Sequence, residues 1–133
     1  MAKDIECDAI IVPAALADFA PKESVEGKIP SDKGFSIDLV PVPKVLPVLR
    51  GMCGKVIGFK AESGLSDTEL VERARKRLSA YDLSAVVAND IDAAGKKSAA
   101  TLLVTANSVQ DISGTKIEIS DGILNYVSEI LRK

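Results

Sequence analysis

With 133 residues, 47% of them hydrophobic and 27% charged, the chain can bury one ordinary core and gives no reason to expect two. Its 17 basic and 19 acidic residues leave a net charge of −2, which excludes the electrostatic surplus that drives general binding to nucleic acid or to an anionic membrane. Histidine is absent, which removes serine-histidine and cysteine-histidine catalysis, imidazole zinc ligation and imidazole general-base chemistry together.

Aromatic residues make up 4% with no tryptophan, so stacking platforms for single strands are not expected either. The two cysteines, Cys7 and Cys53, are far apart and form no CxxC pair. No secretory leader pattern opens the sequence, and a reducing, cytoplasmic setting is the expectation. Cys53, in "RGMCGK", reads as a small turn or core residue, since no histidine exists to activate it. No apolar run approaches the length of a bilayer span.

In chain order, "DAIIVPAALAD" has the unbroken apolar character of a strand covered on both faces, ending near Pro13. From Pro21 to Gly34 periodicity disappears, while prolines, glycines and six charges mark a long loop of the kind that forms lids or binding loops. "FSIDLVPVPKVLPVLR" predicts a short strand with Phe35, Ile37 and Leu39 turned inward. A proline-rich turn and a short helix near Pro43 to Arg50 follow, with Pro43 at the helix start. "KVIGFKAE" is the next buried strand.

"SDTELVERARKRLSA" opens with Ser66 and carries Glu69 three residues on, a capping box, and repeats Leu70, Ala74 and Leu78 along one helical face. Its Glu69/Arg73 and Glu72/Lys76 pairs belong on the solvent side. "LSAVVAND" completes a strand-helix-strand unit with parallel strands. "AATLLVTA" and "TKIEIS" then alternate as a hairpin around "NSVQDISG". The chain closes on a helix, "SDGILNYVSEILRK", burying Ile123, Leu124, Val127, Ile130 and Leu131. The expected fold is α/β: one Rossmann-like three-layer domain over 1–133, with a mostly parallel sheet and a C-terminal hairpin and helix.

In open α/β sheets ligands bind beyond the carboxyl ends of the strands, here Pro13 to Asp18, Phe59 to Glu62 and Asn89-Asp90, and these ends should converge. Neither GxGxxG nor GxxxxGK[ST] occurs, which disfavours a nicotinamide-dependent dehydrogenase and a P-loop. Asp18 offers two acceptor oxygens to a ribose diol, although spacing alone favours a helix cap or turn carboxylate. Lys28 could reach a triphosphate, but a single loop lysine is more often there for solubility.

Five segments, "AALADFAPKESVEGKIPSDKG", "PVPKVL", "IGFKAES", "RARKRL" and "LSAVVANDI", occur in an order and spacing that resembles phosphopantothenate-cysteine ligase, also called phosphopantothenoylcysteine synthetase. This is the second activity of the bifunctional coenzyme A biosynthesis protein of bacteria and archaea. The resemblance runs from about Asp8 to Asp90 and weakens beyond; "FKAE" looks archaeal or eukaryotic.

It implies that a nucleoside triphosphate, CTP or ATP with Mg2+, transfers a nucleotidyl group to the carboxylate of 4′-phosphopantothenate. The amine of cysteine then displaces the nucleotide to form an amide. By the same resemblance Val12, Pro13 and Ala14 border base and sugar, Asp18 holds the ribose, and Lys28, the expected catalytic cation, neutralises phosphate charge from a flap. Pro43, Lys44, Val45, Leu46 and Phe59 complete the nucleotide pocket, Arg77 keeps a family charge, and Tyr81 stands where relatives have lysine. Lys60 stands where many bacterial relatives have alanine. No metal-ligating residue is implied, and a homodimer is.

Placement and charge compensation suffice for such chemistry without histidine, and a closing flap would protect an acyl-nucleotide from water. The glycine-rich strand-helix units with which family ligase domains begin have no counterpart after "MAKDIECDAI". The chain is therefore expected to be the later part of a ligase domain and to be incompetent alone. The competing expectation is a non-catalytic α/β dimerisation or interaction module.

Overall fold

Three short runs, residues 10–12, 56–59 and 85–88, are apolar on both strand faces, so each requires a packed layer on either side. The computed structural model describes residues 6–93 and 100–133. Its elements are β1 (Ile10–Val12), β2 (Phe19–Pro21), β3 (Leu39–Pro41), α1 (Val45–Met52), β4 (Val56–Glu62), α2 (Asp67–Tyr81), β5 (Ala85–Asp90), β6 (Thr101–Val104), β7 (Val109–Asp111) and α3 (Lys116–Arg132), with a single 3-10 turn at Ile91–Ala93. The chain divides into two compact units, a larger one built from the segments before Ala15 and after Val45, and a smaller one, Ala15–Val45.

In the larger unit the three apolar runs lie side by side in a five-stranded sheet of order β1-β4-β5-β6-β7. β1 and β4 run parallel with Ile10 opposite Val56, and β4 and β5 run parallel with Ile57 opposite Ala85. The pairs β5–β6 and β6–β7 are antiparallel.

Alternation along the strands makes two apolar faces. On one, Ile57, Ala85, Val87 and Leu103 join Ile112 and Ile123, with Ile119, Tyr126, Val127 and Ile130 of α3 packed against them. On the other, Val56, Val86 and Val104 are fully buried; α2, with Leu70 and Ala74 buried, lies against β4, β5 and β6. A helix on each face gives the expected three layers, and the strand-helix-strand unit of β4, α2 and β5 has its expected parallel pairing. Cys53 is buried, as its reading as a small core residue required.

The helix ends are fixed by side chains. Ser66 and Glu69 form the predicted capping box: the Glu69 N–H donates to Ser66 Oγ at 3.4 Å, and Glu69 Oε2 accepts from the Ser66 N–H at 2.9 Å. At the other end of α2, Asp82 adopts φ 50, ψ 49, and the Leu83 N–H returns to the Leu78 carbonyl at 3.0 Å. Arg50 of α1 seals this turn by donating from Nε to the Asp82 carbonyl at 2.7 Å and from its terminal nitrogen to Asp82 Oδ2 at 2.6 Å. Gly58 is needed for close packing, because a Cβ there would stand 2.9 Å from Leu83 Cδ1.

Four expectations are corrected. The segment "TKIEIS" is not a strand: Thr115 and Glu118 form a second capping box, in which the Thr115 N–H donates to Glu118 Oε2 at 2.7 Å, and they start α3. The hairpin's return strand is β7; the first residue of its predicted partner, Ala99, lies outside the described residues. Leu124 and Leu131 are 56% and 42% exposed, because Ile119, Ile123, Tyr126, Val127 and Ile130 already occupy the inward stripe of α3.

Phe35, Ile37 and Leu39 are not turned inward; they are 50%, 56% and 58% exposed. Only Leu39 is in a strand, and β3 pairs only with β2, a two-stranded ribbon with little surface to bury. Finally, the short helix begins at Val45, so Pro43 precedes it. Pro47 takes the third helical position, still in the first turn, where a missing N–H breaks no helical bond. Among the described residues no helix is long and apolar enough to cross a membrane.

Candidate functional site

Parallel register in the larger unit aligns the carboxyl ends of β4 and β5, while β1 ends four residues short of the end of β4. Val12 lies opposite Gly58, Phe59 opposite Val87, and Glu62 opposite Asp90. Of the expected convergence, the ends of β4 and β5, Phe59 to Glu62 and Asn89-Asp90, lie side by side. Val12 is buried while Pro13 and Ala14 are exposed. Phe59 is partly buried and packs against the core on the α3 side. Leu46 is 2% exposed, a core side chain that presents little to solvent.

Beyond Phe59, Lys60 and Glu62 share one side of β4, and Lys60 Nζ lies 2.8 Å from Glu62 Oε1. Arg73 of α2 approaches the same oxygen at 3.5 Å. The hydrogen bond from Lys60 acts first and most strongly on Glu62. With the charges of Lys60 and Arg73 it outweighs the opposing desolvation and holds the carboxyl below the usual range. Arg73 thus serves Glu62 from α2, while the Glu69 carboxylate is taken up chiefly by the Ser66 cap, with the charge of Arg73 acting on it as well. On the next turn of α2, Arg77 holds its guanidinium 5.7 Å from the centre of the Tyr81 ring, and its buried Nε has no hydrogen-bond partner among the described residues. Tyr81, read from sequence as a lost charge, is the ring over which Arg77 stacks; the signal was the Arg/Tyr pair four residues apart on a helix.

In the smaller unit, β2 and β3 pair antiparallel with Phe19 opposite Pro41 and Pro21 opposite Leu39. The ribbon is closed on one side by the Val42 N–H donating to the Asp18 carbonyl at 3.1 Å, and on the other by the Lys22 N–H donating to the Asp38 carbonyl at 2.9 Å. Residues 18 and 44 are thereby brought together, and the Lys44 ammonium forms an ion pair with Asp18 Oδ1. Asp18 directly precedes β2. Lys28 is exposed on the long loop that the ribbon closes, next to Gly27 at φ 84. Pro43 and Val45, flanking Lys44, are exposed as well. Sequence reasoning had singled out Asp18 and Lys44 separately; their pairing was hidden because it depends on the β2–β3 ribbon.

The predicted residues thus fall in two sets, Val12, Pro13, Ala14, Leu46, Phe59 and Arg77 in the larger unit and Asp18, Lys28, Pro43, Lys44 and Val45 in the smaller. Among the described residues no group of three or more carboxylates or cysteines is placed to hold a metal ion.

The sheet order and its two helical layers define an α/β protein of Rossmann-like architecture. The chain belongs to the family of DNA/pantothenate metabolism flavoprotein C-terminal domains, whose model matches residues 1–131. The resemblance to the phosphopantothenoylcysteine synthetase part of the bifunctional protein is borne out. The coenzyme A biosynthesis bifunctional protein CoaBC of Methanocaldococcus jannaschii is 39% identical over 136 residues, covering 99% of this chain and 33% of that protein. The chain spans about a third of the length of the curated relatives it matches.

Among solved structures, the DNA/pantothenate metabolism flavoprotein from Streptococcus pneumoniae superposes with a TM-score of 0.80 at 22% identity, over 97% of this chain and 65% of that one. A Cab2 mutant in complex with phosphopantothenate-cysteine gives 0.63 at 20% identity, over 90% and 42%. Both share the fold.

Proposed function

We propose that the chain handles the nucleotide in a phosphopantothenate-cysteine ligase of coenzyme A biosynthesis. A triphosphate, CTP or ATP, activates the carboxylate of 4′-phosphopantothenate by nucleotidyl transfer, pyrophosphate leaves, and the amine of cysteine attacks the acyl-nucleotide to form an amide. The observation that carries this reading is the family match over residues 1–131, joined to 39% identity with a CoaBC protein over nearly the whole chain. A protein of the same fold is bound to phosphopantothenate-cysteine, the product that such a reaction would release.

The smaller unit carries the polar contacts to sugar and phosphates. Asp18 accepts hydrogen bonds from the ribose hydroxyls, with its carboxylate oriented by Lys44 and its backbone by Val42. Lys28, exposed on its loop, brings an ammonium to the developing phosphate charge. Magnesium would accompany the triphosphate and offset part of its charge. The assembly proposed is a homodimer in the cytoplasm.

Calorimetric titration with CTP and with ATP, each with magnesium, tests the reading. The chain is expected to bind one of the two, and Asp18→Asn to weaken that binding about tenfold, a loss of about 1.4 kcal/mol. Binding of neither nucleotide would overturn it and favour an interaction module. Because the chain spans a third of its relatives, the 133-residue chain is expected to bind nucleotide but make little or no amide; vigorous coupling of cysteine by the chain alone would refute that part.

A further inference from the structure

Cys7 and Cys53 stand 46 residues apart in sequence, and neither is among the residues assigned above to the nucleotide. Pairing of β1 with β4 sets Ile10 opposite Val56, and each cysteine lies three residues before its registered neighbour. Contact between the two segments continues ahead of the paired strands. The Ile10 N–H donates to the Lys55 carbonyl at 2.8 Å, and the Cys53 thiol lies 3.4 Å from both the Cys7 and the Lys55 carbonyl oxygens. Cys53 is 5% exposed and fixed by its N–H to the Leu49 carbonyl at 3.0 Å, whereas Cys7 is exposed.

Both thiols are free. The Cys53 thiol reaches the Cys7 main chain, so the two residues are side by side, as a disulfide, whose Cα atoms stand roughly 4.4–6.8 Å apart, requires. The side chains also feel one another: desolvation first, then a hydrogen bond and charge from Cys53, push the Cys7 thiol up.

We propose that Cys7 and Cys53 are a peroxide-responsive pair that forms a reversible disulfide within one chain. Cys7, the accessible partner, attacks a peroxide oxygen as its thiolate. The O–O bond breaks, hydroxide leaves and is protonated to water, and a sulfenic acid remains on Cys7 Sγ. Cys53 Sγ then attacks that sulfur, the S–O bond breaks, the S–S bond forms, and a second water leaves. Two thiols give up two electrons and two protons in all, and one peroxide becomes two waters; thiol exchange reverses the bond.

Residues 15–45, the whole smaller unit, lie inside the covalent loop so closed. In a reducing compartment such a bond is transient and reports oxidant. The link restricts the unfolded chain more than the folded one, so it should raise thermal stability.

The test treats the full chain with hydrogen peroxide and reads intact mass, free thiols after denaturation, and melting temperature. Expected are the loss of two hydrogens, the disappearance of both thiols, a peptide pair joined through Cys7 and Cys53, and an upward melting shift that reductant undoes. The rate should rise about tenfold per pH unit below the thiol pKa, because the thiolate is the attacking species. Cys7→Ser, a change at an exposed position, should abolish the mass loss and the melting shift while the reduced protein melts as before. Added oxygen on Cys7 with Cys53 still titratable, or dimers linked through Cys7, would overturn the proposal. The mass, thiol and peptide-pair results come from the unsubstituted chain, so they do not depend on a variant that folds.

Discussion

The two units of this molecule use apolar residues in opposite ways. In the larger, Val56, Ile57, Val86, Val87, Leu103 and Val104 are fully buried between helical layers. In the smaller, Ala15–Val45, no residue is buried, and Phe19, Phe35 and Leu39 are each at least half exposed. Hydrophobicity alone therefore does not mark a core. A strand buries its apolar face only where a second layer exists to receive it, and the β2–β3 ribbon has none of its own. The region without a core carries Asp18, Lys28 and Lys44, so its polar groups can rearrange around a ligand at little expense to the fold.

The sharpest test of this contrast is a matched pair of truncations. Leu103→Ala should lower unfolding free energy by about 2–5 kcal/mol, whereas Phe35→Ala should change it by less than about 0.5 kcal/mol, both read from urea denaturation. Comparable losses at the two sites would erase the distinction. Lys28→Ala should reverse the ranking: about a tenfold loss of nucleotide affinity, or about 1.4 kcal/mol, with an unchanged urea midpoint.

Removing the newly found cap with Thr115→Ala should cost about 1 kcal/mol of stability, and helical circular dichroism should fray from α3 first on heating. The smallest effect is the pH response of Glu62. Its folded pKa lies below the ordinary 4.5, so its contribution is fully present above that value and is lost as pH falls through the folded pKa. Glu62→Gln should therefore flatten the acid limb of stability against pH relative to the unsubstituted chain. Equal slopes in the two proteins would remove Lys60 and Arg73 as its stabilising partners.

Much of the larger unit was legible because its signals are local. Ser66 and Glu69 sit three residues apart, and the apolar runs of β4 and β5 flank a helix, which fixes a parallel crossover. The "TKIE" stretch carried the same capping signature, yet its alternating apolar residues favoured a strand; the Thr115–Glu118 cap decided the contest. What stayed hidden depends on partners distant in sequence. The Asp18–Lys44 pair needs the ribbon, the Arg73–Glu62 pair needs α2 laid against β4, and the exposure of Leu124 follows from α3 having its inward stripe filled by five other residues. Resemblance supplied the family where spacing could not, because no single motif here is specific.

β7 closes the sheet on one side with only three residues, Val109–Asp111, and just past it the Ser113 N–H folds back onto Asp111 Oδ1 at 2.7 Å. So brief a margin exposes few unpaired amides, and just beyond it the Ile112 N–H is taken up by the Thr101 carbonyl at 2.9 Å. The native fold is a poor seed for fibrils along that border, and precipitation on heating should begin from molecules that have already lost their folded structure.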